Sequence, residues 1–421
     1  MQRSPPSIVV IGAGLVGLCT ALTLQGRGQR VHLIDPAQPG SGASQGNPGG
    51  LSVTSIFPMA VPGIHRKVPG WLLDPLGPLA IRWSHLPALV PWLIRFLKAA
   101  NPAQVAEGVA GLFALTGGAV DGYTMLAARA HAASLIRADG HLMVYRSAAA
   151  MAREDGAWKR RADLNIAFDT LDADTLRQME PELDPAFVCG RFVPGNAQCT
   201  DPLRLALDFA RALQRDGGIV SRTAATGFDI ADGLVRAVRT DSGMIQASHV
   251  VLCAGAHSAP LARQLGNRVA LEPERGYHAQ ITACDVVLQR PVFSTEAKVF
   301  AASMVEGLRF AGTAEFAGAG AAPDWRRADG LLSLGKLLFP RIADNHQTVT
   351  RWMGLRPSTP DGLPVLGRAA AARNAILAFG HGHIGVTSAP MTARVVEALI
   401  LGETPPIPMS PYRPERFQRG A

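Results

Sequence analysis

Residues 7–35, SIVVIGAGLVGLCTALTLQGRGQRVHLID, constrain this chain more than any other stretch. An apolar run ends at Gly12, a helical apolar face follows over 15–25, and a second apolar run over 30–34 closes on Asp35. These periods and breakers predict a strand, a helix and a strand. Gly12, Gly14 and Gly17 fall at the strand-to-helix turn in the spacing G-x-G-x-x-G. Gly12 makes the tight turn, Gly14 lets a pyrophosphate approach the backbone, and Gly17 lets the helix lie close on the strand. The positive helix start, at Leu15 and Val16, is where the phosphates would sit. Asp35 lies 18 residues beyond Gly17, placed to accept ribose hydroxyls and to repel a 2′-phosphate. The unit predicts dinucleotide binding without distinguishing FAD from NAD.

At 421 residues the chain is too long for one hydrophobic core, so a second domain is expected. A composition 48% apolar and 18% charged fits a folded protein rather than a disordered one. The net charge of +8 is scattered with no Lys/Arg block, which argues against a nucleic-acid partner. Cys19, Cys189, Cys199, Cys253 and Cys284 are odd in number, widely spaced and without C-x-x-C. That pattern argues against a disulfide scaffold, a zinc site or an iron–sulfur cluster, and no metal is expected. The opening apolar run breaks at once on Gly12 and Gly14, unlike a signal peptide, so a cytoplasmic location is the expectation.

Farther along, helical patterns are read over 105–137, 173–179, 201–215, 328–339 and 388–401. Strand patterns are read over 141–145, 219–223, 234–240, 249–253 and 375–379, with alternating strands across 269–313. Nucleotide-binding signals at both ends and in the middle predict a discontinuous first domain, 1–66, 197–265 and 352–421. The second domain would comprise 67–196 and 266–351. Residues 71–97 hold Trp71, Trp83 and Trp92, broken by four prolines and charged by Asp74, Arg82 and Arg95. Such a segment suits a peripheral contact on the inner face of the cell membrane, or a buried packing helix, and not a membrane span.

Two stretches favour FAD. SGASQGNPGG, residues 41–50, could bring backbone N–H groups with Ser44 and Asn47 to the middle of the cofactor. GHGHIGVTSAP, residues 380–390, puts Gly382, His383, Ile384, Gly385 and Thr387 at a helix start, which stabilises the negative charge a reduced flavin gathers. His381 and His383 are read as polar turn residues before any catalytic role. MGLRPSTPDGLPVLG, residues 353–367, fixes Arg356 between Gly354 and two stiffening prolines, Pro357 and Pro360. This frame suits either a solvated loop arginine or a guanidinium fork for a planar carboxylate.

The GAGxxG turn with Asp35, the SxxN loop of Ser44 and Asn47, HVVLCAGAHSAPLARQLG with Ala254 and Gly255, GLRPSTPDGLPVLG and GHGHIGVTSAP resemble, in that order, the D-amino-acid oxidase superfamily. The likeness covers nearly the whole chain and is greatest to bacterial D-amino-acid dehydrogenases, including those acting on hydroxy-D-proline. It implies an α/β fold: a Rossmann-like, glutathione-reductase-like FAD-binding domain with an α+β substrate domain whose mixed or antiparallel sheet covers the flavin. It also implies that Arg356 binds the substrate carboxylate, with Tyr277 as a substrate-facing group against the alternative of core packing. No catalytic base is matched. The expected substrate is a D-amino or D-imino acid such as D-proline or 4-hydroxy-D-proline, and the electron acceptor a quinone or an electron-transfer partner. The rival readings are an O₂-using amino-acid oxidase and an FAD-carrying subunit that works only beside partner chains.

Overall fold

In the computed structural model, which describes residues 7–73, 77–344 and 348–417, the first strand Ser7–Ile11 lies between two parallel neighbours. They are Val31–Asp35 on one side and Gly243–Leu252 on the other. Its residues 8–11 are all buried, as a central parallel strand covered on both faces requires. Ile219–Arg222 extends the sheet beyond Val31–Asp35, and Ala375–Phe379 joins Gly243–Leu252 in parallel. An antiparallel ribbon, Ala225–Ala231 with Leu234–Thr240, completes the eight strands together with Val365–Arg368. Helix Leu15–Gly26 packs on the long C-terminal helix Gly385–Leu401 and on Pro202–Arg215, an amphipathic helix N-capped by the Asp201 side chain.

Among the described residues the second sheet has nine strands. At its heart Val349–Ser358, Glu272–Thr282, Gly307–Phe316 and Val299–Met304 run antiparallel in that spatial order. Helix Arg326–Leu338 seals one face through Leu331 and Leu338 against Phe310 and Tyr277. The other face looks onto the glycine-rich loop 41–50 of the first domain.

Three expectations need correction. The helical stretch 105–137 breaks at Gly117–Gly118 into Pro102–Thr116 and Ala119–Arg129. Leu112, Leu115, Tyr123 and Ala127 of these helices join the core around helix Leu15–Gly26, so this segment belongs to the first domain rather than the second. The domain boundary set at 352 cuts strand Val349–Ser358, which belongs to the second sheet. Arg356 is therefore a strand residue, not a loop residue. Gly354 acts here as clearance rather than as a breaker: it pairs with Gly276, and a Cβ on it would fall 2.0 Å from the Trp352 ring.

Segment 71–97 divides. Helix Leu86–Ala99 buries Trp92, whose indole donates to the Ser358 carbonyl at 3.2 Å and stacks on Phe96. Trp83 is 72% exposed. Residues 74–76 and the side chain of Trp71 lie outside the described residues.

Candidate active site

A cavity of about 720 Å³ runs between the two sheets, from Asp35 to Arg356. Its size lies within the range of about 300–1,000 Å³ usual for ligand and cofactor sites.

One end is built from main chain. Gly12 has φ of +109°, and a Cβ there would sit 2.4 Å from the Cys253 carbonyl oxygen. A Cβ on Gly17 would fall 1.9 Å from the Gly12 oxygen, so Gly17 stands behind the wall and packs helix on strand. Gly14 meets only Ser44 Oγ, at 3.5 Å, and this is the face left open. Leu15 and Val16 line the cavity here, and Leu15 N–H donates to Ser44 Oγ at 3.1 Å. Asp35 accepts from Ala13 N–H and Ala37 N–H, both at 2.8 Å, which fixes its carboxylate at the mouth of the turn. Ala254 and Gly255 line the same end.

The middle is a loop gripped from the other domain. Arg309 Nη1 donates to the carbonyls of Gln45 and Asn47, at 3.1 and 2.6 Å. The ring of His278 bonds the intervening Gly46 carbonyl through Nδ1 at 2.9 Å. Burial and the nearby Arg309 push the His278 pKa down to about 3, so the ring is neutral and Nδ1–H is the donor. Three successive carbonyls are thus turned to the second sheet. Trp352 stacks on His278 and lies flat on Gly46, where a Cβ would come within 2.0 Å of the indole. Asn47 Oδ1 accepts from Gly49 N–H and holds the loop's own turn.

The far end is built from side chains. Glu274, Gly276 and His278 share one face of strand Glu272–Thr282, opposite Arg356, Gly354 and Trp352 of the neighbouring strand. Arg356 Nη1 donates to Glu274 Oε1 at 2.8 Å and to the Thr313 carbonyl at 2.9 Å. His383 Nε2 lies 2.8 Å from that same Glu274 oxygen, and Ser358 Oγ donates to the other at 2.8 Å. Burial pushes the Glu274 pKa up, but His383 in its protonated form, Arg356 and Ser358 outweigh it and hold the carboxyl at about 2. Glu274 is ionised. Among the described residues, Arg356 Nε and Nη2 have no hydrogen-bond partner, so the bidentate edge of the guanidinium stays open. Gly276 makes room for it: a Cβ would fall 2.4 Å from the guanidinium carbon.

Not every expected residue meets the cavity. Gly382, His383 and Gly385 line it, but Ile384 is buried and Thr387 does not reach it. Thr387 Oγ1 instead donates to the Gly50 carbonyl, tying the C-terminal helix to the loop. Tyr277 is corrected as a substrate-facing group. It is among the residues that line the cavity, but its side chain is buried and its hydroxyl bonds Glu315 while accepting from Asp324 N–H, which favours the core-packing alternative. Sequence reasoning missed Glu274, His278, Arg309 and Trp352. Polar residues at even spacing along one strand, Glu272, Glu274 and His278 with Gly276 between, were the available signal.

A model of the FAD dependent oxidoreductase family (DAO) matches residues 7–399. The chain belongs to that family. A D-amino-acid oxidase of Bradyrhizobium diazoefficiens is 39% identical over 415 residues, covering 97% of this chain and 98% of that protein. D-amino acid dehydrogenase 2 of Ralstonia nicotianae is 32% identical over 422 residues, covering 96% and 99%. L-Proline dehydrogenase of P. horikoshii superposes with a TM-score of 0.78 at 18% identity, over 99% of this chain and 98% of that one. Glycine oxidase of Geobacillus kaustophilus gives 0.74 at 22%, over 97% of each. At these identities the two structures show a common fold.

The residues fit the cofactor of this FAD-dependent oxidoreductase. The glycine cradle that a Cβ would fill, the open side of Gly14 and the N-terminus of helix Leu15–Gly26 suit a pyrophosphate. Asp35 would hold the ribose, and the loop around Gly46 with the turn at Gly382–Gly385 would hold the ring system.

Proposed function

We propose that this enzyme oxidises D-α-amino acids, with Arg356 receiving the substrate carboxylate. The observation that carries the reading is the open Nε–Nη2 edge of Arg356, fixed by Glu274 at the cavity end away from the glycine cradle. A bidentate pair there sets both distance and orientation of the α-carbon, and positioning is what hydride loss chiefly requires. FAD, when bound, supplies the acceptor for the hydride. Arg356 orients the acid, Trp352 walls the site, and the imine so formed would hydrolyse, or stay cyclic with a proline-like substrate.

Within this reading the preferred substrates are D-amino or D-imino acids, D-proline and 4-hydroxy-D-proline among them, and the electron acceptor is a quinone or an electron-transfer partner. An O₂-using oxidase is the second reading, favoured by the name of the relative from Bradyrhizobium diazoefficiens. Anaerobic bleaching of the flavin by a panel of D- and L-amino acids, proline analogues included, tests the substrate class. Reoxidation by O₂ against a soluble quinone then separates the two acceptors. Bleaching by L- but not D-amino acids would overturn the reading.

We also propose a peripheral membrane contact through helix Leu86–Ala99. Val90, Ile94 and Leu97 of this helix are exposed, as are Trp83 just before it and Lys98 in its last turn. Apolar side chains flanked by cations suit an anionic lipid surface. Co-sedimentation with anionic vesicles that is unchanged in Trp83→Ser/Ile94→Ser would remove this contact.

A further inference from the structure

An α-amino acid arrives near neutral pH with its amine as an ammonium, which has no lone pair. Loss of hydride from the α-carbon needs that lone pair to form C=N, so a proton must first leave the nitrogen. The cavity holds few acceptors. Asp35 lies at the nucleotide end with both oxygens occupied by backbone N–H groups. Tyr277 turns its hydroxyl away to Glu315. His381 is buried, bonded to Thr392, and burial holds its pKa at about 3, too weak a base for the task. His257, on the turn Gly255–His257, has no carboxylate within ion-pair distance among the described residues.

His383 differs from all of these. Its Nε2 lies 2.8 Å from an ionised carboxylate oxygen, a contact that favours the tautomer with its hydrogen on Nε2. In the neutral ring the lone pair is then on Nδ1, which has no partner among the described residues. The side chain is 38% exposed and lines the cavity. The same Glu274 oxygen also holds Arg356. One carboxylate oxygen is therefore the hinge for two groups, an open guanidinium edge and an open imidazole nitrogen. An α-amino acid carries the matching pair, carboxylate and ammonium, on a single carbon.

We propose that His383 accepts the proton of the substrate's ammonium, and that Glu274 is the positioning residue that orients His383 and Arg356 together. The inference rests on the reading of Arg356 as the carboxylate site. In the step, one N–H bond of the ammonium breaks and an Nδ1–H bond forms. The electron pair stays on the substrate nitrogen, and His383 becomes an imidazolium whose charge Glu274 opposes. The charged group paired with His383 is Glu274, which also holds Arg356 from the neighbouring strand, and the other titratable side chains that line the cavity near its turn are His381 and His257. The positive N-terminus of helix Gly385–Leu401 follows it. General-base assistance of this kind contributes about 10²–10⁴ in rate.

His383→Gln tests the assignment, because its amide can still donate to Glu274 but cannot take up the proton. The holoenzyme variant should keep its flavin spectrum and its affinity for propionate, a carboxylate with no amine. Its kcat/KM for a D-amino acid at pH 7 should fall about 100-fold. That deficit should close as pH rises through the substrate amine's own pKa, where free amine no longer needs a base. His383→Asn should show the same closure. A deficit that stays constant with pH, or a loss below about threefold at pH 7, overturns the role of His383. Propionate affinity separates the two readings: if Arg356→Ala binds propionate normally, the carboxylate site is misassigned, whereas the pH profile of His383→Gln reports on the base alone.

Discussion

The two ends of the cavity are made of different material. At the nucleotide end the contacts come from main chain: glycines cleared of Cβ atoms, a helix start, and one carboxylate bonded to two backbone N–H groups. At the substrate end they come from side chains of three separate segments, Glu274, Arg356 and His383, joined at one carboxylate oxygen. A site made of backbone fails when the chain path changes. A site made of side chains can lose its chemistry while the fold stands. The two ends should therefore respond to substitution in separable ways.

The largest effect is expected at the first end. Gly17→Ala places a Cβ 1.9 Å from a backbone oxygen that cannot move without displacing the first strand. It should cost more than about 3 kcal/mol of stability and most of the bound FAD, read by thermal unfolding and by flavin absorbance of the purified protein. Normal flavin content in this variant would break the comparison.

At the second end, Arg356→Ala should lower kcat/KM about 100-fold, roughly 3 kcal/mol, while FAD stays bound. Arg356→Lys keeps a cation for Glu274 but lacks the planar fork, so it should recover stability more than activity. Steady-state kinetics beside flavin content decide the matter: if activity falls only in step with lost FAD, the two ends are one unit.

Acid should sharpen the contrast further. The folded pKa of Glu274, about 2, lies below its unfolded value of about 4.3. A depressed carboxylate contributes stability that is full above the unfolded pKa and is lost as pH falls through the folded one. The shift corresponds to about 3 kcal/mol, released between about pH 4.5 and pH 2. Glu274→Gln should be less stable at neutral pH, and its stability should fall less steeply across that window, as followed by denaturant titration at stepped pH.

The smallest effect is expected from Asp35→Asn. The amide keeps one acceptor but loses charge, and charge-assisted bonds contribute about 1.5–3 kcal/mol. FAD affinity should fall by about tenfold with kcat of the loaded enzyme unchanged, measured by apoprotein reconstitution.

The β-α-β unit was legible because a fingerprint of local residues, Gly12 to Gly17 with Asp35, carries its own geometry. Its parts lie close in sequence and each obeys a backbone rule. Arg356 was legible as a residue but not as a neighbour: its glycines and prolines resemble a loop, yet only strand pairing shows that Gly276 and Gly354 clear space for side chains. Tyr277 stays open between a substrate-facing group and core packing in the sequence, because the alternation of its strand can be phased only once its partners are known. Glu274 and His383 are 109 positions apart, and nothing in either local sequence reports that they share an oxygen with Arg356. The sequence by itself determined where the dinucleotide unit lies and which cofactor class it suits, since backbone conformation is set by near neighbours. The tertiary structure alone decided which side chains meet at the substrate end, because register across a sheet and the docking of one domain on another are fixed by burial summed over the whole chain.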